Sequence, residues 1–283
     1  MKSFKEIAEL DENNLMIVDG LNLAFRYHIS GATDFMEDYM RTVSSLQKSY
    51  KCGKVILTCD WGKSTYRKAL YPEYKGNREE KRAKQTEEES EAFAAFITEV
   101  NNIMEAYAEN PDVLVLRYKG VEADDLIAFI VRYYAKWMAQ IWIISSDKDL
   151  DLLVKPNVSR FSYVTRKEIT YDNWSDHYPY ESCQHIDIKC LQGDSGDNVP
   201  GVPGIGPKKA LGLIQEYGSI IDILNALPIQ SKYKHIQSLN DFGQSGIELN
   251  IKLMDLLEHC EEAIGDALPE VTKRVEDYLV RAI

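Results

Sequence analysis

Acidic residues end three apolar segments that are rich in Val and Ile. Asp19 ends NLMIVD, Asp60 ends KVILTCD, and Asp147 ends IWIISSD. Such near-continuous apolar runs are typical of strands that are buried on both faces of a parallel sheet. The carboxyl ends of parallel strands meet at one edge, where α/β proteins bind their ligands. Each aspartate alone could be a helix N-cap or a turn residue, but the three together predict a shared acidic site.

More carboxylates lie in two motifs, GVEADD and SSDKDLD. The first places Glu122, Asp124 and Asp125 in the first turn of a helix that follows a further apolar segment, PDVLVLRY. The helix dipole favours one or two acids there, but three repel one another unless a cation compensates. SSDKDLD adds Asp149, whereas Asp151 could equally cap a helix.

This excess of oxygen ligands predicts a site for a hard divalent cation such as Mg²⁺. Neither His nor Cys recurs at these positions, which disfavours zinc. Two such ions, about 3.5 to 4 Å apart, would clamp the attacking and leaving oxygens of an in-line phosphoryl displacement. The acidic motifs therefore favour phosphodiester or phosphoryl chemistry.

A Gly/Pro-rich turn directly follows Asp194 and Asp197 in GDSGDNVPGVPGIGPKKA. The pattern predicts a short hairpin and then a helix with Lys208 and Lys209 near its N-terminus. Glycines let a backbone approach phosphate closely, and free amides at a helix N-terminus attract anions. Nothing in the pattern reads base edges, so the contact would be independent of base sequence. A helix–helix turn with exposed lysines is the alternative interpretation.

Positive charge is concentrated in one segment of an acidic chain. The net charge is -12, yet residues 63–84 carry eight basic and three acidic residues, a local charge of +5 that leaves -17 elsewhere. This distribution predicts a basic binding element, metal-binding carboxylates, or both. In YPEYKGNREEKRAK, Lys75 and Arg78 could stabilise phosphoryl charge, while Tyr71 and Tyr74 offer ring faces to unpaired bases. A solvated basic loop is the alternative.

The organisation of the chain predicts an α/β unit followed by helices. Segments with helical period separate the apolar runs over the first 165 residues or so, which favours a parallel sheet with helical crossovers. Thr86 followed by Glu89 is a capping-box pattern, so the basic segment lies in a long connection before that helix. After about residue 180 the strand signal stops, and short amphipathic helices with Gly/Pro turns follow.

Composition and cysteine usage narrow the class of protein. With 283 residues, 45% of them hydrophobic and 28% charged, the chain resembles an ordinary soluble globular protein. The N-terminus has no apolar run after its basic residues, and no segment reaches the length of a membrane span, so we expect a cytoplasmic protein. The five cysteines form no CxxC pair. Cys183, His185 and Cys190 lack an established zinc spacing, and ordinary packing explains them better.

The motifs resemble those of a known family. IVDGLN, the strand end at Asp60, PEYKGNR, GVEADD, SSDKDLDLL and GDSGDNVPGVPGIGPKKA occur in the order found in the 5′-nucleases. This family includes bacteriophage flap endonucleases, which are also 5′ to 3′ exonucleases, and the 5′-nuclease domains of bacterial DNA polymerase I. The resemblance spans residues 14 to about 227. Chain length and the stretches YKGNR and RFSYVTRKE resemble the free-standing phage enzymes more than the polymerase-fused ones.

The resemblance implies a PIN-like 5′-nuclease fold. This fold is α/β with a mostly parallel central sheet, a helical arch, and a C-terminal helical region that contains a helix-hairpin-helix DNA-binding element. We expect an α/β catalytic domain over residues 1–180, with the arch at about 63–110. The helical region would cover 181–283, with the helix-hairpin-helix element at about 190–217. The last 55 residues or so match only loosely, and we assign them to helical packing.

The resemblance also implies site residues and ions. The first metal group would be Asp19, Asp60, Glu122, Asp124 and Asp125, and the second would be Asp147, Asp149, Asp194 and Asp197. Lys75 and Arg78 would be catalytic. The residues expected to contact DNA are Tyr74, Lys81, Arg82, Gly201, Gly204, Gly206, Lys208 and Lys209. The cofactors would be two or more Mg²⁺ ions, which Mn²⁺ could replace, and K⁺ at backbone carbonyls of the helix-hairpin-helix element.

The implied function is that of a Mg²⁺-dependent flap endonuclease and 5′ to 3′ exodeoxyribonuclease in DNA replication or repair. Its partners would be branched, flapped or nicked DNA and also RNA–DNA primers, with no membrane partner and a monomeric protein in the cytoplasm, that of the bacterial host if the chain is phage-encoded. A PIN-type ribonuclease also gathers acids at strand ends, but such domains are shorter and do not need the downstream hairpin. A non-catalytic module that binds branched DNA would lack acids of the family set, and all nine are present.

Overall fold

One six-stranded sheet forms the centre of the computed structural model, which describes residues 9–280. The spatial order is β3-β2-β1-β4-β5-β6. The strands are β1 (Asp11–Asp19), β2 (Cys52–Thr58), β3 (Val113–Leu116), β4 (Gln140–Ile144), β5 (Val158–Ser162) and β6 (Lys167–Ile169). Neighbours from β3 to β5 are parallel, and only β6 runs antiparallel, to β5. The prediction of a mostly parallel α/β sheet is confirmed.

The strand register brings the predicted acidic residues to one edge of the sheet. Asp19 pairs with Thr58 of β2, and Val18 pairs with Ile144 of β4. Asp60 follows Thr58 by two residues, and Asp147 follows Ile144 by three. All three aspartates therefore leave the sheet at the carboxyl ends of adjacent strands.

Helices cover both faces of the sheet. One face packs against α1 (Gly20–Ser30), α2 (Met36–Ser49) and α5 (Glu87–Ala108). The other packs against α6 (Ala123–Tyr134), α11 (Leu256–Ile264) and α12 (Leu268–Val280). Successive strand residues alternate between these two cores: Leu15 and Ile17 belong to one, Met16 and Val18 to the other. This period of two is why both core clusters share every central strand.

A separate hydrophobic core lies between the four helices that directly precede α11 in the chain. These helices are α7 (His185–Gln192), α8 (Pro207–Tyr217), α9 (Ile220–Ala226) and α10 (Lys234–Met254). The side-chain amide of Asn250 is fully buried and donates to the carbonyls of Cys190 and Pro200, both at 2.8 Å. These bonds fix the segment between α7 and α8, which contains GDSGDN.

The basic segment forms two short helices above the acidic edge. They are α3 (Thr65–Leu70) and α4 (Gly76–Ala83), and α4 has no buried residue. The Thr86–Glu89 capping box that opens α5 is confirmed. The first turns of α5 are exposed, whereas Val100, Ile103 and Met104 are buried in the core. Among residues 9–280, the structure contains no helix with the length and apolar character needed to span a lipid bilayer.

Two strands lie outside the sequence prediction. Neither β5 nor β6 belongs to the four apolar runs that predicted the sheet. In β5 (VSRFS) polar residues interrupt the apolar pattern, and Arg160 is nevertheless buried because it forms an ion pair with Asp151. Buried polar groups with partners therefore hide this strand from a hydrophobicity pattern.

The C-terminal helix is tied to the amino end of the sheet. Lys54 of β2 is buried, and its ammonium donates to the carbonyls of Tyr278 and Leu279, each at 3.1 Å. The Tyr278 hydroxyl accepts from the Val55 amide at 2.9 Å and donates to the Asp112 carbonyl at 2.8 Å. A cation at the last turn of α12 also complements the helix dipole.

We expect Lys54→Met to lower the free energy of unfolding by about 1 to 3 kcal/mol, because two buried carbonyls lose charge-assisted hydrogen bonds. Urea unfolding followed by circular dichroism measures the change. Lys48→Met, which replaces an exposed lysine of α2, is the matched control. Equal stabilities of the two variants would contradict the anchoring role of Lys54.

Candidate active site

Asp19 begins the site at the end of β1. It caps α1, and its carboxylate accepts hydrogen bonds from the Asn22 amide at 3.2 Å and the Ser145 hydroxyl at 2.9 Å. Burial raises the pKa of Asp19 to about 7, and the nearby Asp60 carboxylate adds to the rise. Asp19 is therefore only partly ionised near neutral pH, and a nearby positive charge would favour its ionised form.

Asp60 and Asp124 share this space. The Asp60 carboxylate accepts from the Ala123 amide at 2.6 Å, which holds it against the start of α6. Burial raises the pKa of Asp60. Burial also raises the pKa of Asp124 well above its usual range, and the charges of Asp147, Asp19 and Asp60 raise it further. Acids from three strand ends and from α6 thus form one cluster of mutually repelling carboxylates, defined here as Asp19, Asp60, Asp124 and Asp147.

The segment after β4 contributes acids with different partners. Asp147 caps a short 3₁₀ helix, Lys148–Leu153, and its carboxylate accepts from the Asp149 amide at 2.9 Å. Asp151 is buried and forms an ion pair with Arg160 of β5. Asp151 therefore has a structural role and is not part of the cluster.

A buried arginine lies beneath the acidic edge. Arg67 of α3 donates to Glu122 at 2.8 Å and to both carboxylate oxygens of Asp125 at 2.7 Å each. It also donates to the Leu253 carbonyl at 2.8 Å. The Asp125 carboxylate is fully buried and held by Arg67, so it positions that arginine, and its predicted role as a metal ligand stays a prediction.

Lys75 and Arg78, at the N-terminal end of α4, form ion pairs with acids from two other segments of the chain. Lys75 has a left-handed backbone (φ 54°) at the start of α4, and its amide donates to the Asp197 carbonyl at 2.8 Å. Its ammonium forms ion pairs with Glu122 and, at 3.6 Å, with Asp197. Although burial alone would lower it, the pKa of Lys75 is raised, because Glu122 and Asp197 lie close. Arg78, one turn further on, contacts Asp197 at 2.6 Å.

Tyr74 does not offer a ring face to a base, which corrects its predicted stacking role. The side chain is only 4% exposed and packs in the core of the helical region. Its hydroxyl donates to Asp197 at 2.8 Å and approaches Glu122 at 3.3 Å. Tyr74 therefore positions two acids from different parts of the chain.

Lys189 is a site residue that the sequence analysis missed. It lies on α7, and its ammonium pairs with Asp149 and, at 3.4 Å, with Asp194. Burial works against ionisation of Asp194, but Lys189 and two backbone amides lower its pKa. A lysine one turn before the acidic GDSGDN motif was the available signal, and only the fold shows that it reaches the acid after β4.

The glycines of the hairpin have different roles. A side chain on Gly201 would meet the Gln192 carbonyl at 1.8 Å, so this position requires glycine for close packing, and its backbone contact with DNA stays a prediction. Gly204 has a left-handed backbone (φ 77°), and a methyl group added to Gly204 or Gly206 would have no neighbour within 4 Å. Gly206 caps α8, and the Lys209 ammonium donates to the Gly204 carbonyl at 2.7 Å.

The remaining predicted DNA contacts are exposed side chains. Lys208 lies in the first turn of α8, and Lys81 and Arg82 lie in the last turn of α4. Arg82 stacks over the Phe93 ring, 5.0 Å from its centroid. Their predicted contacts with DNA stay predictions.

The donor set of this edge fits divalent metal ions. The described residues contain no ready-made group of three acidic, thiol or imidazole side chains in a metal-holding arrangement. Protein cations hold part of the predicted set: Lys75 binds Glu122 and Asp197, Arg78 binds Asp197, and Lys189 bridges Asp149 and Asp194. Asp19, Asp60 and Asp124 have raised pKa values, so they would gain most from a hard cation with oxygen ligands.

Known proteins are similar to this chain over most of its length. Residues 14–178 match the family model described as 5′-3′ exonuclease, N-terminal resolvase-like domain, and residues 180–269 match 5′-3′ exonuclease, C-terminal SAM fold. The flap endonuclease of Escherichia phage T5 is 39% identical over 278 residues, which cover 96% of this chain and 94% of that protein. DNA polymerase I of Rhizobium leguminosarum is 31% identical over 75% of this chain and 21% of its own length.

A solved structure shares the whole arrangement. The bacteriophage T5 D15 flap endonuclease, in a pseudo-enzyme–product complex with DNA and metal ions, superposes with a TM-score of 0.89 at 38% identity. The match covers 94% of this chain and 99% of that one. The similarity therefore extends over the sheet, the arch and the helical region alike.

We expect Arg67→Met to lower the free energy of unfolding by about 3 to 5 kcal/mol, because it leaves the buried Asp125 carboxylate without its cation and Glu122 with Lys75 alone. Urea unfolding measures the loss. The double variant Arg67→Met/Asp125→Leu should recover part of it, since it removes the orphaned charge. Arg41→Met, at an exposed arginine with distant partners, should cost less than about 1 kcal/mol. A small loss in Arg67→Met would contradict the buried ion cluster.

The raised pKa of Asp19 predicts a pH-dependent stability of the metal-free protein. Since the folded pKa of about 7 exceeds the unfolded value of 3.8, the folded state binds the extra proton between these pH values. Wild type in EDTA should therefore lose about 2 to 4 kcal/mol relative to Asp19→Asn as pH rises from about 4 to 7. Excess Mg²⁺ should reduce the loss.

Urea unfolding at several pH values, with and without Mg²⁺, measures this difference. Asp172→Asn, at an exposed acid, is the matched control and should follow wild type at every pH. If wild type and Asp19→Asn changed in parallel in EDTA, Asp19 would not be the strained carboxylate that the geometry indicates.

Proposed function

The chain belongs to the 5′-3′ exonuclease family, and from this premise we propose that it is a Mg²⁺-dependent flap endonuclease and 5′ to 3′ exodeoxyribonuclease. Structure-specific 5′ nuclease activity follows from family membership over the whole chain. The substrate is DNA with a junction between single and double strand. Mg²⁺ is proposed as the metal because all the donor atoms of the site are oxygens.

One observation carries this proposal. The cluster of carboxylates at the sheet edge lies close enough to Lys75 for the lysine charge to lower the pKa values of Asp60 and Asp124, which burial raises, and Glu122 and Asp197 hold Lys75 and Arg78 in ion pairs. Acids that bind metal and cations that meet phosphate are what hydrolysis of a phosphodiester requires. A non-catalytic DNA-binding module would have no need for the strained acids.

Asp19, Asp60 and Asp124, together with Glu122 and Asp125, would form the group that holds the first divalent cation. Asp147, Asp149, Asp194 and Asp197 would form the second group. When bound, Mg²⁺ or Mn²⁺ lowers the pKa of water and neutralises charge on the phosphate. The ordinary all-oxygen coordination of Mg²⁺ leaves room for water and substrate phosphate alongside one or two carboxylates.

The protein's own cations would act on the phosphate. Lys75 and Arg78 line a cavity that Asp60 and Glu122 also line, so a phosphate that enters it meets both cations. Their charge would stabilise the additional negative charge of the transition state. Lys75 contacts Glu122 before the substrate binds. The residue that would meet the phosphate is therefore already positioned beside a residue that would bind metal.

The duplex would be held by the start of α8. Gly204, Gly206 and Lys208 leave this turn open, and amides at a helix N-terminus attract phosphate. This contact is independent of base sequence, which suits an enzyme that recognises a junction. We also propose K⁺ binding to carbonyls of this hairpin. Such an ion would compete with the Lys209 ammonium for the Gly204 oxygen.

The remaining expectations from the sequence are part of the same proposal. They are a division into a catalytic domain (1–180) and a helical region (181–283), a monomeric state, a cytoplasmic location, a role in replication or repair, and activity on RNA–DNA primers. The two family-model matches, which meet near residue 180, support the proposed division.

We expect the purified protein to cut an end-labelled 5′-flap duplex near the junction with Mg²⁺ and not with EDTA. Asp147→Ala should lower the single-turnover rate about 100-fold or more while DNA binding persists, because a carboxylate of the cluster is lost. Gel analysis of the products and fluorescence anisotropy measure both quantities.

Asp172→Ala, at an exposed acid away from the edge, is the control and should cut like wild type. No metal-dependent cut by wild type would overturn the proposed function. Normal cleavage by Asp147→Ala would leave the class of enzyme intact but contradict the metal assignment.

A further inference from the structure

A cavity of about 530 Å³ lies between the arch and the acidic edge. Asp60 and Glu122 form part of its wall, so it opens next to the proposed metal site. Its volume is in the range of small-ligand sites and suits a nucleotide rather than a duplex. The cavity is therefore a place where an unpaired stretch of a strand can lie beside the carboxylates.

The walls of this cavity are positively charged. Its cations are Lys63, Lys68, Lys75, Arg78, Arg82 and Arg117. Its acids are Asp60, Glu79 and Glu122, and Glu79 already binds Lys63 at 2.8 Å and Lys68 at 3.0 Å. In a chain of net charge -12, this excess of cations in one cavity attracts a polyanion.

Trp61 presents an aromatic surface in this cavity. It directly follows Asp60, and 49% of the residue is exposed. Its backbone carbonyl accepts from the Gly120 amide at 2.8 Å, and the Asp60 carboxylate is held by Ala123. The indole is thus attached at a fixed position, one residue from a carboxylate of the cluster. An exposed tryptophan in a charged cavity is unfavourable in water, and a ligand that covers it gains free energy.

An arginine backs the indole ring. The Arg117 guanidinium lies 5.3 Å from the Trp61 ring centroid. It is fixed by hydrogen bonds to the Asn101 side chain at 2.7 Å and the Asp60 carbonyl at 3.4 Å. The cation–π contact limits the motion of the indole, and the same arginine adds charge for a nearby phosphate.

We propose that Trp61, backed by Arg117, is a stacking site for one unpaired base of the 5′ strand, adjacent to the phosphate that is cut. Every base has a π face, so the site accepts any sequence. The base is the occupant rather than a peptide or lipid, because the aromatic face stands among cations beside the metal cluster. This proposal rests on the proposed nuclease function and deepens it by naming where the single strand is held.

The test combines protein variants with abasic substrates. Trp61→Leu keeps an apolar side chain without the ring, Trp61→Phe keeps a smaller ring, and Trp137→Leu replaces an exposed tryptophan beside Lys136 as the control. The substrates are 5′-flap duplexes that are either unmodified or carry one abasic residue, placed in turn at each of the first flap and junction positions. KM and kcat are measured with Mg²⁺, and thermal unfolding checks the fold of each variant.

We expect Trp61→Leu to raise KM for the unmodified flap by about 5- to 100-fold, the effect of losing one base–aromatic stack. Trp61→Phe should recover part of the loss, and Trp137→Leu should match wild type. At one substrate position, the abasic residue should raise the KM of wild type by a similar factor and leave the KM of Trp61→Leu unchanged.

Two results would overturn the stacking site. One is an unchanged KM for Trp61→Leu. The other is an increase in KM from wild type to Trp61→Leu that is the same for the unmodified flap and for every abasic substrate. If Trp61→Leu does not fold, wild type with the abasic series decides: equal KM at every position overturns the proposal. Failure of wild type to cut the unmodified flap would instead contradict the nuclease function itself.

Discussion

Negative charge that must be compensated at one edge of the sheet is the constraint on which the rest of the site depends. Parallel strands deliver Asp19, Asp60 and Asp147 to the same place, and α6 adds Asp124. Burial and mutual repulsion raise the pKa values of Asp19, Asp60 and Asp124. In a partly desolvated site, repulsion between like charges is far stronger than in water. The arrangement is therefore stable in the ionised form only with cations from the chain or from solution.

The chain supplies cations of two kinds. Arg67 is buried and bound at four positions, so it compensates Glu122 and Asp125 permanently. Lys75 and Lys189 are partly exposed and reach acids that are also predicted metal ligands. A lysine on a flexible stem can exchange one partner for another, whereas a forked arginine with several bonds is held in place. Arg67 therefore belongs to the fixed scaffold of the site, whereas Lys75 and Lys189 belong to the part whose contacts can change on binding.

The sequence predicted what depends on local rules and failed where tertiary contacts decide. The position of a strand-end acid such as Asp19 could be predicted because a local run of apolar residues indicates the strand, and the direction of the chain indicates the end at which the acid lies. The roles of Tyr74 and Asp125 depend on which groups surround them, and each proved to be buried against a partner. Lys189 was missed because its partner Asp149 lies 40 residues away in the chain. Motif spacing therefore indicates the chemistry, while burial and long-range pairing determine which residues are available for it.

Competition for the same carboxylates couples metal and substrate. Lys75 binds Glu122 and Asp197 in the structure, and both acids belong to the proposed metal groups. When a phosphate takes the lysine, these carboxylates become better ligands for a divalent cation. Linkage requires the reverse as well: a bound cation that displaces Lys75 from its acids raises the affinity of that lysine for phosphate by the same factor. Because Lys75 directly precedes α4, the arch is the element through which this coupling acts, so metal and DNA are expected to bind cooperatively.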